Sequence, residues 1–410
     1  MRDMSLLEQI RDYIQSGETT QERLGLEIEH FVVDERGVQI EFDKISNLIE
    51  KTAKEIGART ILTDGHVVGY SNDDYTITLE PACQVEISIN PHSSLSEIER
   101  VYREFLELWE PLINDIGYHF ITKGNLPLVE LGAITPDEIP LSPKKRYEYM
   151  DKYFEESGKC GKYMMRASAS TQISVDYKCE KDLARKLSIL EKISPILMIM
   201  FENKKRYNST IPGIIDKEHL FRIQQWDDVD SDRTGFLRGS LDDDFSYEKI
   251  ASLAYDLPLI LLTDEDKTIY VGSKSARDLI EEGTINEDEL TEERSINLIE
   301  HFLSMGFFHF RVKKYIEIRV VDSLPLDRAM AFAALIKGIV YSDKNLNTLR
   351  EELSDVNTID DIQQAILRIE EDGLDAVIYN DKTAKEWANI LVELARESLK
   401  EEERKYLSNV

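Results

Sequence analysis

The stretch TILTDGHVVGYSNDDYTITLEPACQVEISIN, residues 60–90, contains four short runs that are rich in β-branched and aromatic residues. Turn-forming residues such as Asp, Gly, Asn and Pro separate the runs, which is typical of strands joined by tight turns. No helical pattern lies between them, so the runs predict neighbouring strands of an antiparallel or mixed sheet and not a parallel βαβ arrangement. GLEIEHFVV, residues 25–33, predicts one more strand in this region.

Helical periodicity covers much of the remaining chain. The predicted helices span residues 4–16, 46–58, 98–117, 144–156 and 180–201, and another follows the strands predicted within 307–322. A strand is predicted at 165–177, and the tail from 343 onwards is predicted to be helical throughout. We therefore predict an α+β fold with a mainly antiparallel sheet backed by helices. The expected organisation is a catalytic domain at 1–342 with a helical C-terminal extension at 343–410 packed on it.

The composition excludes several classes of function. Of 410 residues, 79 are acidic and 50 are basic, and the formal charge is −29. A surface of this charge repels phosphate backbones and anionic lipids, so nucleic-acid and membrane partners are not expected. The three cysteines have no paired spacing, and the apolar runs are much shorter than the ~20 residues that a membrane-spanning helix needs. We expect a cytoplasmic protein, and the sequence contains neither GxGxxG nor GxxxxGK[ST] for nucleotide binding.

Two pairs of glutamates lie in or beside the predicted strands. Glu27 and Glu29 are two residues apart, so they point to one face of their strand. Glu80 and Glu86 bracket the segment PACQV, and Glu86 has apolar neighbours on both sides. If the four carboxylates converge, a cation relieves their repulsion, and their hard oxygen atoms suit Mg²⁺ or Mn²⁺. The alternatives are a strand face that turns to solvent and two pairs that never meet in space.

A polar pattern alternates along the strand predicted at 165–177. The residues that would share one face are Arg166, Ser168, Ser170, Gln172, Ser174 and Asp176. Small hydroxyl groups together with Arg and Gln suit a wet ligand cleft, because the small residues leave room for a ligand. A strand that faces solvent would show the same pattern.

Two further segments combine charged and aromatic residues. KYIEIRVVD, residues 314–322, places Glu317 and Arg319 on one face of an otherwise apolar strand. This placement favours an internal ion pair or a site for metal and phosphate, and a plain cross-strand salt bridge is the alternative.

QQWDDVDSDRTGFL, residues 224–237, predicts a polar loop with Trp226 and Arg233, which is either a binding loop or a surface turn.

Taken together, these segments resemble the plant-type glutamate–cysteine ligase family, also called the second gamma-glutamylcysteine synthetase group, among the glutamine synthetase-like carboxylate–amine ligases. The matching motifs, in chain order, are GLEIEH (25–30), ITLEPACQVEIS (77–88), MMRASASTQISVDY (164–177), DVDSDRTGFL (228–237) and YIEIRVVD (315–322). The resemblance implies an antiparallel sheet that curves into a funnel with helices behind it. It also implies a reaction that joins the γ-carboxylate of glutamate to the amine of cysteine at the expense of ATP.

The same resemblance assigns roles to residues of this sequence. The implied ligands of two or three Mg²⁺ ions, with Mn²⁺ as an alternative, are Glu27, Glu29, Glu80, Glu86, Gln172 and Glu317. Gln172 would also lie near the nucleotide, and Arg319 would contact the ATP phosphates as a catalytic residue. Arg166 would be a second catalytic residue that contacts a substrate. Arg233 and Trp226 would bind a substrate, the former through a carboxylate or phosphoryl group.

The segments 203–226 and 238–248 do not match the family pattern, so the sequence assigns no cysteine pocket. A related ligase that joins glutamate or another carboxylate to a different amine is therefore an alternative. A non-catalytic metal-binding or regulatory protein on the same scaffold is a third reading. The expected partners are glutamate, cysteine and ATP, and the expected assembly is a monomer or a homodimer.

Overall fold

The computed structural model describes residues 4–204, 217–264 and 267–410. Its described strands are β1 (Leu24–Asp34), β2 (Arg59–Thr63), β3 (His66–Ser71), β4 (Tyr75–Leu79), β5 (Val85–His92), β6 (Tyr118–Ile121), β7 (Ser170–Val175), β8 (Ile260–Asp264), β9 (Lys267–Gly272), β10 (Phe310–Val312), β11 (Ile316–Asp322), β12 (Val377–Tyr379) and β13 (Lys382–Thr383). Nine of them form one open antiparallel sheet in the order β10, β11, β7, β1, β5, β4, β3 and β2, with β6 paired to β1. The pairs β8–β9 and β12–β13 form two small separate sheets.

The four runs of residues 60–90 form β2 to β5, and each strand pairs antiparallel with the next one. The tight turn between β2 and β3 contains Asp64 and Gly65, whose φ angles are 50° and 81°. Glycine adopts such left-handed backbone at no steric cost, which explains its place in this turn. The predicted α+β class with a mainly antiparallel sheet is therefore confirmed.

The described α-helices account for most of the remaining ordered backbone. They are α1 (Leu6–Gln15), α2 (Phe42–Ile56), α3 (Leu95–Asp115), α4 (Lys145–Ser157), α5 (Gly161–Ala167), α6 (Glu180–Met200), α7 (Phe221–Asp227), α8 (Tyr247–Asp256), α9 (Ala276–Glu281), α10 (Glu292–Ser304), α11 (Leu326–Val340), α12 (Asp343–Glu352), α13 (Ile359–Asp372) and α14 (Ala384–Ser398). The helices predicted before residue 202 are confirmed to within a few residues. An apolar stripe at helical spacing explains this agreement, because that spacing places the stripe on one face of the helix.

Two predictions of secondary structure are wrong. The segment GKYMMRA at 161–167 is helix α5, and strand β7 begins only at Ser170, because Ala, Met, Lys and Arg are good helix formers. The tail is not helical throughout, since the hairpin β12–β13 interrupts it. At its turn, Asn380 and Asp381 both have positive φ angles, of 52° and 57°, which is typical of a two-residue hairpin turn.

The sheet has one apolar face and one polar face, and β1 shows the division most clearly. Leu26 and Ile28 are fully buried, while Glu27 and Glu29 alternate with them and point the other way. The apolar face packs against three helices, because α3 contacts β5, α6 contacts β11, and α11 contacts β1 and β7. Full burial of one such aliphatic side chain contributes about 1.5–3 kcal/mol. The opposite face is thereby left for polar side chains.

Residues from 343 onwards contact the helices behind the sheet. α14 contacts α6 and α11, and α13 also contacts α6. Near the C-terminus, Glu403 is buried and accepts hydrogen bonds from Lys337 Nζ at 2.5 Å and from the Leu95 backbone N–H at 3.2 Å. The domain boundary at 342/343 stays a prediction. Within the described ranges, no helix is long and apolar enough to cross a membrane.

Candidate active site

A cleft of about 750 Å³ lies over the polar face of the main sheet. Strands β1, β7 and β11 and the β4–β5 segment contribute its floor, and α4, α7, α10 and the hairpin β8–β9 contribute further lining residues. The predicted site residues that line this cleft are Glu27, Glu29, Glu80, Glu86, Gln172, Trp226, Glu317 and Arg319. The structure therefore brings together both glutamate pairs, the polar strand and the Glu-x-Arg strand.

Strand register explains why these side chains meet. In the pairing of β1 with β5, Glu29 lies opposite Glu86, and in the pairing of β1 with β7, Glu27 lies opposite Gln172. Directly opposed residues of an antiparallel pair project to the same face of the sheet. Glu80 follows the end of β4, where its backbone carbonyl accepts a hydrogen bond from Cys83 N–H at 3.0 Å. The two glutamate pairs thus face one cleft.

The carboxylates of the cleft perturb one another. Burial, followed by repulsion from Glu317, raises the pKa of Glu27 to about 7. Burial and then repulsion from Glu80 raise the pKa of Glu29 to about 7 as well. For Glu86, burial and repulsion from Glu27, Glu80 and Glu29 place the pKa well above its ordinary value. A bound cation would reverse these shifts, because it stabilises the ionised form of each carboxylate.

Glu317 behaves in the opposite way because cations surround it. Arg311 donates two hydrogen bonds to its carboxylate, from Nε at 2.6 Å and from Nη2 at 2.8 Å. Arg319 donates to Glu317 at 2.8 Å and also to Gln172, and Lys313 Nζ lies 3.7 Å from the carboxylate. Burial acts to raise the pKa of Glu317, but the three cations outweigh it, and the pKa lies well below the ordinary value.

Arg311 and Lys313 were not predicted as site residues, although the sequence contains a signal for them. The hairpin of β10 and β11 closes at Lys314, where Lys313 N–H donates to the Tyr315 carbonyl at 2.9 Å. Antiparallel pairing about that centre places Arg311 opposite Glu317. Because opposite charges directly across a strand pair stabilise it, folding the sequence FRVKKYIEIR into a hairpin identifies the pair.

The donor chemistry of the cleft suits Mg²⁺, since its carboxylate and amide oxygens are hard ligands and its carboxylates repel one another. The carboxylate of Glu29 already has protein partners. It accepts hydrogen bonds from Ser170 N–H at 2.8 Å, Ser170 Oγ at 2.9 Å and Gln172 Nε2 at 3.0 Å. Within the part of the chain that the structure describes, no three His, Cys, Asp or Glu side chains are grouped closely enough to hold a metal ion. The residue types therefore fit the ion, and these side chains would have to move closer together to coordinate it.

Arg166 lies outside the cleft, contrary to the role implied for it. It is in the last turn of α5, only 4% exposed, and its guanidinium contacts Asp151 at 2.5 Å and 3.0 Å. Its Nε also donates to the Ile139 carbonyl at 3.0 Å. Because α5 extends to Ala167, the strand alternation that would have aimed Arg166 at the cleft begins too late in the chain.

Arg233 also lies outside the cleft. Its side chain is fully buried and donates from Nε to Asp230 at 2.6 Å, and from Nη1 to the carbonyls of Pro258 at 2.7 Å and Met305 at 3.1 Å. These bonds hold the segment after α7 to two other parts of the chain. The contacts of Arg233 therefore join structural elements outside the cleft, and its role as a substrate contact stays a prediction.

The segment 224–237 is not simply a polar loop, since Trp226 belongs to helix α7 and lines the cleft. On the same helix, the buried Arg222 lies 5.7 Å from the centre of the Trp226 ring and donates to the Arg319 carbonyl at 3.3 Å. No local sequence pattern indicates Arg222, because its position depends on how α7 docks beside β11. Residues 205–216 of the unmatched segment 203–226 lie outside the described residues.

The cleft over the antiparallel sheet, with its glutamates and paired arginines, is the candidate active site of an enzyme. The glutamate–cysteine ligase of Francisella tularensis, solved in complex with AMP, shares this fold with a TM-score of 0.52. The two sequences are 14% identical over 95% of this chain and 81% of the other.

The glutamate–cysteine ligase family 2 (GCS2) model matches residues 23–410, and this chain belongs to that family. Among its relatives, the chloroplastic glutamate–cysteine ligase of Medicago truncatula is 27% identical over 393 residues, which cover 95% of this chain and 74% of the relative. The corresponding enzyme of Nicotiana tabacum is 27% identical over 94% of this chain and 72% of its own length. The resemblance found in the sequence motifs is thereby confirmed.

Proposed function

We propose that the protein is an ATP-dependent glutamate–cysteine ligase that forms γ-glutamylcysteine through a γ-glutamyl phosphate. The observation that carries this proposal is the convergence of five glutamates, Gln172 and Arg319 in one cleft of a chain that belongs to the glutamate–cysteine ligase family. The curated relatives carry this activity in their names, and the solved relative binds AMP. A protein nucleophile is not needed for this chemistry, because ATP activates the carboxylate.

The proposed reaction needs positive charge at two stages. A carboxylate is a poor electrophile, so it is first phosphorylated by ATP, and the transferred phosphoryl group carries charge that cations must balance. The acyl phosphate is then attacked by an amine, and the resulting oxyanion requires a donor or a cation. Arg319 lines the cleft and is oriented by Glu317 and Gln172, so it is the residue that would contact the phosphoryl group. Trp226, in the wall formed by α7, would contact a substrate.

Mg²⁺ would be held by Glu27, Glu29, Glu80, Glu86 and Glu317, with Gln172 beside them. When bound, the ion supplies charge neutralisation for phosphoryl transfer, and Mn²⁺ suits the same ligands. The chain's own contribution is to hold these carboxylates on one sheet face by strand register. Location and assembly stay predictions from the sequence, namely a cytoplasmic monomer or homodimer, while the plant relatives are named as chloroplastic.

The test is ADP release by the purified protein with ATP, Mg²⁺ and glutamate, with each amino acid added singly and the product identified by mass. Release that depends on cysteine and yields γ-glutamylcysteine is the expected result. Glu29→Gln is expected to lower the rate by several orders of magnitude without loss of the fold, since it removes a carboxylate from the centre of the cleft. Release driven by a different amine supports the related ligase, and silence with every amine supports either a different carboxylate donor or the non-catalytic reading.

A further inference from the structure

The basic side chains that line the cleft differ in how they are paired. Arg311, Lys313 and Arg319 all contact the carboxylate of Glu317. Lys144 and Arg146, at the beginning of α4, also line the cleft, and within the described chain neither has a carboxylate partner. Lys144 Nζ instead donates to the Leu79 carbonyl at 2.6 Å, while Arg146 Nη1 reaches only Ser304 Oγ at a long 3.4 Å.

The guanidinium of Arg146 therefore has no anionic group in contact, and a ligand can supply one. Arg146 is partly buried in the cleft wall, and this burial lowers its pKa below the ordinary value although Glu80 attracts the charge. A partly desolvated charge with no carboxylate in contact is costly, and an anionic ligand that contacts it lowers that cost. The planar guanidinium can donate two parallel hydrogen bonds, which match the two oxygens of a carboxylate.

The surroundings of Arg146 indicate which anion fits. Met150 lies four residues further along α4, on the same helix face, and it also lines the cleft. Four residues of helix rise by about 6 Å, which is the scale of a small α-amino acid. The polarizable thioether of Met150 suits contact with a small thiol side chain. The wall thus offers a cation for a carboxylate and, one turn away, a soft apolar contact for sulfur.

We propose that Arg146 binds the α-carboxylate of the acceptor amino acid and thereby selects amino acids over simple amines. This inference rests on the proposed function and deepens it, because it names the residue that recognises the acceptor. It also supplies the substrate-carboxylate contact for which Arg166 and Arg233 are unavailable, since both are held in buried ion pairs outside the cleft. The competing anions are a nucleotide phosphate and the α-carboxylate of glutamate.

Cysteamine, which is cysteine without its carboxylate, separates these possibilities. In Arg146→Gln, the KM for cysteine is expected to rise by roughly 10- to 100-fold, the usual effect of losing a hydrogen bond between charged groups. The kcat/KM for cysteamine is expected to change less than 3-fold, and the KM values for ATP and glutamate are expected to stay constant. Arg146→Lys should recover only part of the affinity, because an ammonium group keeps the charge and loses the paired donors.

Lys145→Gln is the matched control, because Lys145 is exposed on the same helical turn and does not line the cleft. It is expected to leave every KM unchanged. The inference is overturned if Arg146→Gln lowers kcat/KM equally for cysteine and cysteamine, or if the KM for ATP or glutamate rises instead. Wild-type protein that releases no ADP with either amine contradicts the proposed function itself, and the inference is then withdrawn with it.

Discussion

The two basic walls of the cleft hold their charges in different ways. In the β10–β11 hairpin, strand register pairs Arg311 with Glu317, and Lys313 and Arg319 share the same carboxylate. At the beginning of α4, Lys144 and Arg146 face the cleft with carbonyl and hydroxyl partners only. The cations of the first wall share a contacting carboxylate before any ligand arrives, while those of the second have no carboxylate in contact among the described residues. Preorganised charge suits phosphoryl transfer, and a cation that no carboxylate contacts suits binding of an anionic substrate group.

The largest effect is expected when the β10–β11 wall loses its shared carboxylate and so resembles the wall at the beginning of α4. Glu317→Gln removes the carboxylate that three cations share, so Arg311 and Arg319 lose the group that orients them. ADP release in the presence of glutamate and cysteine is expected to fall by about 10³-fold or more, as for other preorganised charged groups. Thermal unfolding monitored by circular dichroism checks that the variant is folded. A rate within 10-fold of the wild type would show that this ion cluster is structural only.

An arginine outside the cleft should affect stability and not turnover. Arg166→Met removes the cation that contacts the carboxylate of Asp151, whose side chain is 20% exposed, so the loss of unfolding free energy should be at most about 3–5 kcal/mol, the cost for a fully buried pair. Urea unfolding measures this loss, and ADP release per folded molecule is expected to remain near the wild-type value. Arg36→Met is the matched control, because Arg36 is 81% exposed in its pair with Asp34 and should change stability by less than about 1 kcal/mol.

A selective loss of turnover in Arg166→Met, at unchanged stability, would contradict this placement. The double variant Arg166→Met with Asp151→Leu sharpens the result. Replacing both partners of a buried pair with apolar residues is expected to recover much of the stability, since no uncompensated charge remains. If the double variant does not recover stability, the loss of unfolding free energy comes from packing around α4 and α5 and not from the charge pair.

The smallest expected effect concerns a glutamate that lacks the cations of Glu317. Glu191, on α6, is fully buried, and burial raises its pKa to about 8. Ser240 Oγ lies 2.5 Å from Glu191 and 2.8 Å from the Leu237 carbonyl. The single hydroxyl hydrogen of Ser240 can serve only one of these acceptors, so a protonated Glu191 that donates to Ser240 satisfies both contacts.

Because its folded pKa lies above its unfolded value, Glu191 binds its proton more tightly in the folded state. Its contribution to stability is therefore lost as pH rises from about 4.5 to about 8. Glu191→Gln removes this titration, so the variant should gain about 1–3 kcal/mol relative to the wild type between pH 5 and pH 8. Urea unfolding at both pH values measures the change. The prediction is refuted if the unfolding free energies of the variant and the wild type differ by the same amount at pH 5 and pH 8.

The residues on strands were predictable because strand geometry is local. A period of two fixes the face of Glu27 relative to Leu26, and the same rule places Glu317 and Arg319 together. The rule failed for Arg166, because it applies only where the strand exists, and the chain there is still helix α5. The motif around Arg233 did not indicate that its side chain lies outside the cleft, since its partners, Pro258 and Met305, are far away in sequence.

The sequence by itself determined the antiparallel sheet, the face of each strand-borne carboxylate and the family to which the motifs belong. These features follow from residue spacing within single elements, where backbone geometry fixes side-chain direction. Only the tertiary structure decided which cations share Glu317, which arginines are closed off by buried partners, and that Arg146 faces the cleft without a carboxylate. Such pairings depend on how distant elements dock, because the energy of a charge is set by everything that surrounds it in space and not by its neighbours along the chain.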